Sequence, residues 1–120
     1  MGIFYVNGTI GHPTRGRLRR ALQFLVDTGA FYRVVPANIL SALRVEPAWT
    51  ETVQFADGRK TRWRVGEARL EIDGRSVTTL VFFGKRGTDP LLGAYTLEGL
   101  GFIVDPRRRR LVPRRVVIVA

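Results

Sequence analysis

The 120-residue chain contains no cysteine and a single histidine, His12. It can build no disulfide frame, no iron–sulfur cluster and no thiolate zinc site. One histidine cannot furnish a histidine-rich metal site or a Ser-His-Asp triad. We therefore expect no metal and no cofactor, and any chemistry falls to carboxylates, hydroxyls, backbone groups or arginine. No apolar run approaches the roughly 18 residues of a membrane span. The start, Met1-Gly2-Ile3-Phe4-Tyr5-Val6-Asn7, lacks a charged segment followed by an apolar core, which predicts no secretory signal and a cytoplasmic location. No repeat, low-complexity tract or linker divides the chain, so residues 1–120 read as one domain.

Acid is scarce as well. Ten Asp and Glu stand against twenty Lys and Arg, 18 of them Arg, for a formal net charge of +10. Such a balance suits a polyanion partner such as nucleic acid, but it also suits a compositional bias spread over every surface. Residues 1–60 carry 8 basic and 4 acidic groups, and residues 61–120 carry 12 and 6. The ratio is the same in both halves, so no basic tail is set apart, and nucleic acid is kept only as an alternative partner. Apolar residues at 45% and charged residues at 25% match an ordinary globular domain.

What is abundant is strand signal. Ile3 to Ile10 is β-branched and aromatic and ends at Gly11-His12-Pro13, a turn cluster in which His12 has no chemical role. Arg17 to Val26 begins polar and ends apolar on both faces, the pattern of a strand that runs into the core. Tyr32 to Val35 predicts a short strand, and Pro36 opens a helix through about Leu43. Thr50 to Ala56 alternates, Asp57-Gly58 is a tight-turn signal, and the return strand carries Trp63 and Val65 in one phase but Ala68, Leu70 and Ile72 in the other. The phase change predicts a bulge or bend at Gly66. Asp73-Gly74 turns into a strand over Val77 to Phe83. After a loop, Leu91-Leu92-Gly93 precedes a helix over Ala94 to Leu100, stopped by Gly101. Phe102 to Val104, Leu111-Val112 and Val116 to Val119 read as late strands. Arg107 to Arg110 reads as a solvated turn opened by Asp105-Pro106, and Trp49 and Trp63 read as packing residues, with Trp63 also able to line a cleft. Seven to nine short strands and two short helices predict a small, mostly antiparallel sheet or barrel, without βαβ alternation.

One hexapeptide carries chemistry: Leu25-Val26-Asp27-Thr28-Gly29-Ala30. Asp-Thr-Gly alone is weak, since chance places it in about 2–3% of chains this long. Its setting is unusual, because it ends a fully apolar strand where a carboxylate needs hydrogen-bond partners or a raised pKa.

Here the chain resembles the retropepsin-like aspartic proteases, in particular the short single-copy cellular and prokaryotic members. The first motif is that hexapeptide, followed by Val34-Val35-Pro36 and a short helix. The second is Leu91-Leu92-Gly93, followed by Leu97-Glu98-Gly99-Leu100-Gly101, Phe102-Ile103-Val104-Asp105-Pro106 and Leu111-Val112-Pro113. The likeness runs from about Ile3 to Pro113. It implies an all-β fold, a small closed antiparallel barrel of the acid-protease type with one or two short helices. It implies that Asp27 is catalytic, that Thr28, Gly29 and Ala30 support the active loop, and that the hairpin of about residues 50–72 is a flap with Ala56, Asp57, Gly58 and Arg59 at the substrate. Two departures stand out. Phe31 occupies a place where the family commonly has Ser, Thr or Asp, and the flap tip is charged instead of glycine-rich.

The resemblance also implies an assembly. The family's chemistry needs two facing aspartates, and this chain holds one Asp-Thr-Gly; Asp57, Asp73, Asp89 and Asp105 sit in turns of other kinds. Two copies would join in an isologous homodimer, with a peptide or protein substrate between flap and floor. Residues 114–120 are the expected dimerisation strand, because Val116-Val117-Ile118-Val119 is apolar on both faces. The expected activity is that of an aspartic endopeptidase. The alternative is a non-catalytic dimeric binding module of the same fold, for an anionic partner or nucleic acid.

Overall fold

The structure, a computed structural model, describes residues 3–30 and 33–119. In chain order the elements are β1 (Phe4–Gly11), β2 (Arg19–Val26), β3 (Val34–Pro36), α1 (Ala37–Ala42), β4 (Pro47–Gln54), β5 (Lys60–Ile72), β6 (Arg75–Gly84), β7 (Leu91–Leu92), α2 (Ala94–Gly99), β8 (Phe102–Asp105) and β9 (Arg110–Pro113). No helix among the described residues is long and apolar enough to cross a membrane.

Six strands close on themselves in the order β1-β2-β7-β3-β6-β5, and β5 returns to β1 through Thr9 to Gly11 against Glu71 to Arg69. The expected closed barrel is therefore present. Two of its seams, β2 with β7 and β3 with β6, are parallel, so it is less uniformly antiparallel than the sequence suggests. The β8–β9 hairpin forms a separate two-stranded sheet.

Side-chain period explains the inside of the barrel. In β2 the outer residues Arg19, Arg20 and Ala21 are exposed, while Phe24 and Val26 are fully buried. In β5, Ala68, Leu70 and Ile72 point inward and Arg69 and Glu71 outward, the alternation of a strand with one wet face. The core joins these to Val35, Leu40 and Val81.

The phase change in β5 has a different cause from the one its sequence suggests. The strand is continuous through Gly66, and its register with β6 is unbroken from Val65 to Ile72. Its even-numbered residues face the barrel interior beyond Gly66. Before it, the odd-numbered Trp63 and Val65 join a second apolar cluster with Val34 and Phe82. The irregularity lies in the partner strand β4, between Pro47 and Trp49.

Turn chemistry follows the sequence closely. Asp73 and Gly74 have φ of 50° and 78°, the pair of positive values that a two-residue type I′ hairpin requires. His12 closes the first turn, where its Nδ1 accepts from the backbone N–H groups of Thr14 and Arg15 at 3.1 and 3.0 Å. Asp105 Oδ1 accepts from the N–H groups of Arg107 and Arg108 at 3.2 and 3.3 Å, which shapes the arginine-rich turn. Pro36 ends β3 and caps α1, one place earlier than a first-turn proline. Tyr32, the expected start of β3, lies outside the described residues. Residues 114–119 form no strand in the single chain, contrary to the strand predicted for Val116 to Val119.

Beside the β1–β5 seam, Gly8 is packed tightly against the barrel wall. A Cβ on Gly8 would sit 2.9 Å from the Glu71 carbonyl oxygen and 3.0 Å from the Phe24 ring. Both are fixed parts of the wall. Gly8→Ala is therefore expected to destabilise the fold by about 1–3 kcal/mol through overpacking, read as a lower denaturant midpoint at unchanged m. An unchanged midpoint would mean that the β1–β5 seam yields freely.

Candidate active site

The active loop begins where β2 leaves the core. Val26 is fully buried and Asp27, the next residue, is half-buried. Three backbone hydrogen bonds hold the loop to the segment Pro90 to Ala94, and a fourth closes the loop on itself. Leu25 N–H donates to the Pro90 carbonyl at 2.7 Å and Asp27 N–H to that of Leu92 at 3.1 Å; Ala94 N–H donates to the Ala30 carbonyl at 3.0 Å; within the loop, Ala30 N–H donates to the Asp27 carbonyl at 3.1 Å. The two sequence motifs, about 65 residues apart, are thus physically one unit, joined through the parallel β2–β7 pair.

The Asp27 side chain is oriented by its own loop. Its Oδ1 accepts from the Gly29 N–H at 2.9 Å, which leaves Oδ2 available. Thr28 is exposed and borders a hollow of about 380 Å³ with Ala94, Leu97, Glu98, Ile103 and Arg114. Phe31 lies outside the described residues.

A buried arginine braces the chain just after this loop, and sequence reasoning missed it. Arg33 is 4% exposed. Its Nη1 donates to Thr96 Oγ1 at 2.7 Å and its Nε to the Leu80 carbonyl oxygen. It ties the start of β3 to α2 and β6. A lone arginine directly before the apolar Val34-Val35 was the available signal.

Beside the loop lies a cleft of about 590 Å³. Ala30, Val34, Leu91 and Phe82 line its barrel side; Val53, Phe55 and Trp63 line it from the β4–β5 hairpin. Phe55, Trp63 and Phe82 form an edge-to-face series, with centroid spacings of 6.0 Å at each step. Such pairs add about 0.5–1.5 kcal/mol each beyond area burial, so the hairpin rests on the barrel through aromatic contacts. Trp63, expected as a packing residue also able to line a cleft, packs against the second apolar cluster and lines the cleft. Trp49 also lines it and is 44% exposed, which removes it from the packing role its sequence suggested. Glu51 belongs to the same lining and was likewise missed; counting residues by twos back from the Asp57-Gly58 turn would have found it.

Ala56, Asp57, Gly58 and Arg59 build the tip of this hairpin. Phe55 N–H donates to the Arg59 carbonyl at 2.8 Å and Gly58 N–H to that of Phe55 at 2.9 Å. Asp57 takes the Arg59 N–H at 3.0 Å and the Arg59 Nε at 2.7 Å. Those two bonds, the backbone one first, hold the Asp57 carboxyl below the usual carboxylate range. A depressed folded pKa means that the pair is complete above the ordinary carboxylate pKa and is lost only as pH falls through the lower folded value. The tip therefore keeps its charges through mild acid. The Arg59 guanidinium also lies over the Phe55 ring at 5.2 Å.

Gly58 has φ of 89°, which a β-branched residue adopts only under strain. Gly58→Val should distort the tip, detach Phe55 from Trp63 and lower peptide cleavage several-fold while the barrel's melting temperature changes little. Unchanged kinetics would mean that the tip has no part in substrate handling.

A closed six-strand barrel that holds an Asp-Thr-Gly loop against an apolar-apolar-Gly strand is the architecture of the retropepsin-like aspartic proteases. The family model described as "gag-polyprotein putative aspartyl protease" matches residues 19–99, and the chain belongs to that family. It is by family an aspartic-type endopeptidase. Among solved structures, a retropepsin-like aspartic protease from Rickettsia conorii superposes with a TM-score of 0.63 at 22% identity, over 92% of this chain and 80% of that one. The EIAV protease in complex with the inhibitor HBY-793 gives 0.60 at 17% identity, over 98% and 94%. The simian foamy virus (mac) protease gives 0.59 at 21% identity, over 81% and 94%. A search of curated proteins finds no match.

Proposed function

We propose that the protein hydrolyses peptide bonds as a homodimer, with a water molecule activated between the Asp27 carboxylates of two copies. The observation that carries this reading is the single Asp27 loop of each chain. It presents a half-buried carboxylate and an exposed Thr28 at the surface, beside an apolar cleft. One carboxylate cannot supply both an acid and a base at once. Two brought together across a two-fold axis share a proton, because like charges in contact cannot both ionise. The ionised carboxylate then takes a proton from water as the water oxygen adds to the peptide carbonyl carbon. The protonated partner donates to the carbonyl oxygen. In the second step a proton passes to the amide nitrogen, the C–N bond breaks, and the dyad returns to its singly protonated state. The Gly29 N–H held on Oδ1 would fix the plane of each carboxylate through both steps.

In this reading the β4–β5 hairpin is the flap. It would close over an extended peptide that pairs with the hairpin and the floor through backbone hydrogen bonds. The closing unit is Pro47 to Val65, since β5 beyond Gly66 belongs to the barrel wall. Incubation with a diverse peptide library is the direct test. Cleavage is expected, with inhibition by a statine-type transition-state analogue and a rate that rises more steeply than linearly with enzyme concentration near the dimer Kd. Cleavage strictly proportional to concentration down to the lowest detectable level, or none at all, would count against it.

A further inference from the structure

Of the hairpin residues that line the cleft, one is ionisable, Glu51, and its charge is negative. The register sets Trp49 opposite Val65, Glu51 opposite Trp63 and Val53 opposite Thr61. Opposed residues of an antiparallel pair share a face, and Trp49, Glu51, Val53, Phe55, Trp63 and Val65 of this face line the cleft; Thr52 and Gln54 of the alternate set reach it as well. The alternate pairs, Thr50 with Arg64, Thr52 with Arg62 and Gln54 with Lys60, belong to the opposite face. In a chain of net charge +10, Lys60, Arg62 and Arg64 pair with the alternate set, Arg59 at the tip is held by Asp57, and none of these four cations lines the cleft. Glu51 is also the one ionisable side chain among the described residues that line the cleft.

Its surroundings fit a ligand that is apolar along its length and positive at its end. Trp49 Nε1 donates to Glu51 Oε1 at 2.7 Å, which sets the carboxylate against the indole. Oε2 has no hydrogen-bond or ion-pair partner among the described residues. Trp63 stands directly across the strand pair, and Val53 and Phe55 continue the wall toward the tip. Indole faces attract cations, a carboxylate adds a charge-assisted hydrogen bond, and the aliphatic wall suits a methylene stem.

We propose that this part of the cleft is a specificity pocket for a lysine or arginine side chain of the peptide substrate, with Glu51 as the specificity-determining residue and Trp49 and Trp63 as its aromatic walls. The proposal rests on the peptidase reading above. A norleucine side chain would fill the same walls without meeting the carboxylate, and a glutamate would be repelled by it.

The test uses fluorogenic peptides that are identical except for lysine, norleucine or glutamate, placed in turn at each position flanking the scissile bond. At one position the wild-type enzyme should favour lysine over norleucine by about five- to tenfold in kcat/KM, the scale of one ion pair combined with a cation–π contact. Glu51→Gln should bring that ratio close to one. Glu51→Lys should reverse the order, so that the glutamate peptide outruns the lysine peptide, a result that misfolding cannot produce. The same comparison is made without turnover, from the tryptophan fluorescence of Asp27→Asn titrated with each peptide and of the double variant with Glu51→Gln. Equal treatment of lysine and norleucine at every position, or a lysine preference that survives Glu51→Gln, overturns the pocket. Lysine-selective binding without any cleavage would sink the peptidase reading and leave the pocket standing.

Discussion

Asp27→Asn should lower peptide cleavage by on the order of 10³-fold or more, since a proton-transferring group in the transition state contributes about 10²–10⁴ and this substitution removes it from both halves of the dimer. The fold should not notice. An asparagine Oδ1 can still accept the Gly29 N–H that holds the native side chain at 2.9 Å, and the backbone bonds of the loop to Leu92 and Ala94 involve no side chain. Melting temperature and dimer mass should therefore match the wild type. If the variant still cleaves at wild-type rates, Asp27 is not catalytic. If neither form cleaves but both dimerise and bind peptide or a polyanion, the binding-module reading gains. Mixing supplies a sharper form of the test. With equal amounts of wild-type and Asp27→Asn chains, about a quarter of randomly paired dimers carry two aspartates, so activity per wild-type chain should fall by about half after subunit exchange. Activity that ignores the added variant would mean that each chain works alone.

The same dyad predicts a bell-shaped dependence of kcat/KM on pH. Both carboxyls protonated leaves no base, and both ionised leaves no acid, so the two limbs report apparent constants that belong to the pair. A flat profile from mild acid to alkali would speak against two carboxylates as the working groups.

How much of this was legible in the residues can be judged element by element. The end of β2 was legible, because an apolar strand that terminates in Asp-Thr-Gly has few physical explanations and the second motif at Leu91-Leu92-Gly93 supports the same one. The hairpin turns were legible because Asp57-Gly58 and Asp73-Gly74 demand particular φ values. The parallel seams were not, since a strand of two residues such as Leu91–Leu92 carries no sign of which distant strand it will meet. The behaviour of β5 was half legible: the phase change at Gly66 is real, but its cause is that opposite faces are buried on either side of that point, with the extra residue in β4. Arg33 and Thr96 were hidden because their bond spans 63 positions. Glu51 could be placed on the face of Val53 and Phe55 by counting, but its significance rests on standing opposite Trp63, and that pairing emerges only once the β4–β5 register is fixed.

Deleting residues 114–120 should shift the protein from dimer toward monomer, and activity should go with it. Val116, Val117, Ile118 and Val119 are 73, 62, 86 and 90% exposed in the single chain. Four adjacent β-branched side chains in water are unfavourable, and an unpaired apolar segment of this kind is a template for strand addition. Nothing in the barrel is left to cover them, because its six strands already close on one another. A second copy can. Full burial would contribute about 1.5–3 kcal/mol for each side chain, against association costs of several kcal/mol or more, enough to decide whether a dimer persists at micromolar concentration. The segment leaves from an anchored point, since Arg114 N–H donates to the Gly101 carbonyl at 2.8 Å beside the C-terminus of α2. Deleting only residues 116–120 spares that bond, and it should give the same dissociation without disturbing the β8–β9 hairpin. Sedimentation and peptide cleavage, measured on one dilution series, should fall together, with the truncated chain inactive at concentrations where the full chain is a dimer. A truncated chain that remains dimeric and fully active would locate the interface elsewhere, and the exposed Ile103 and Thr28 beside the active loop would then be the surface to examine.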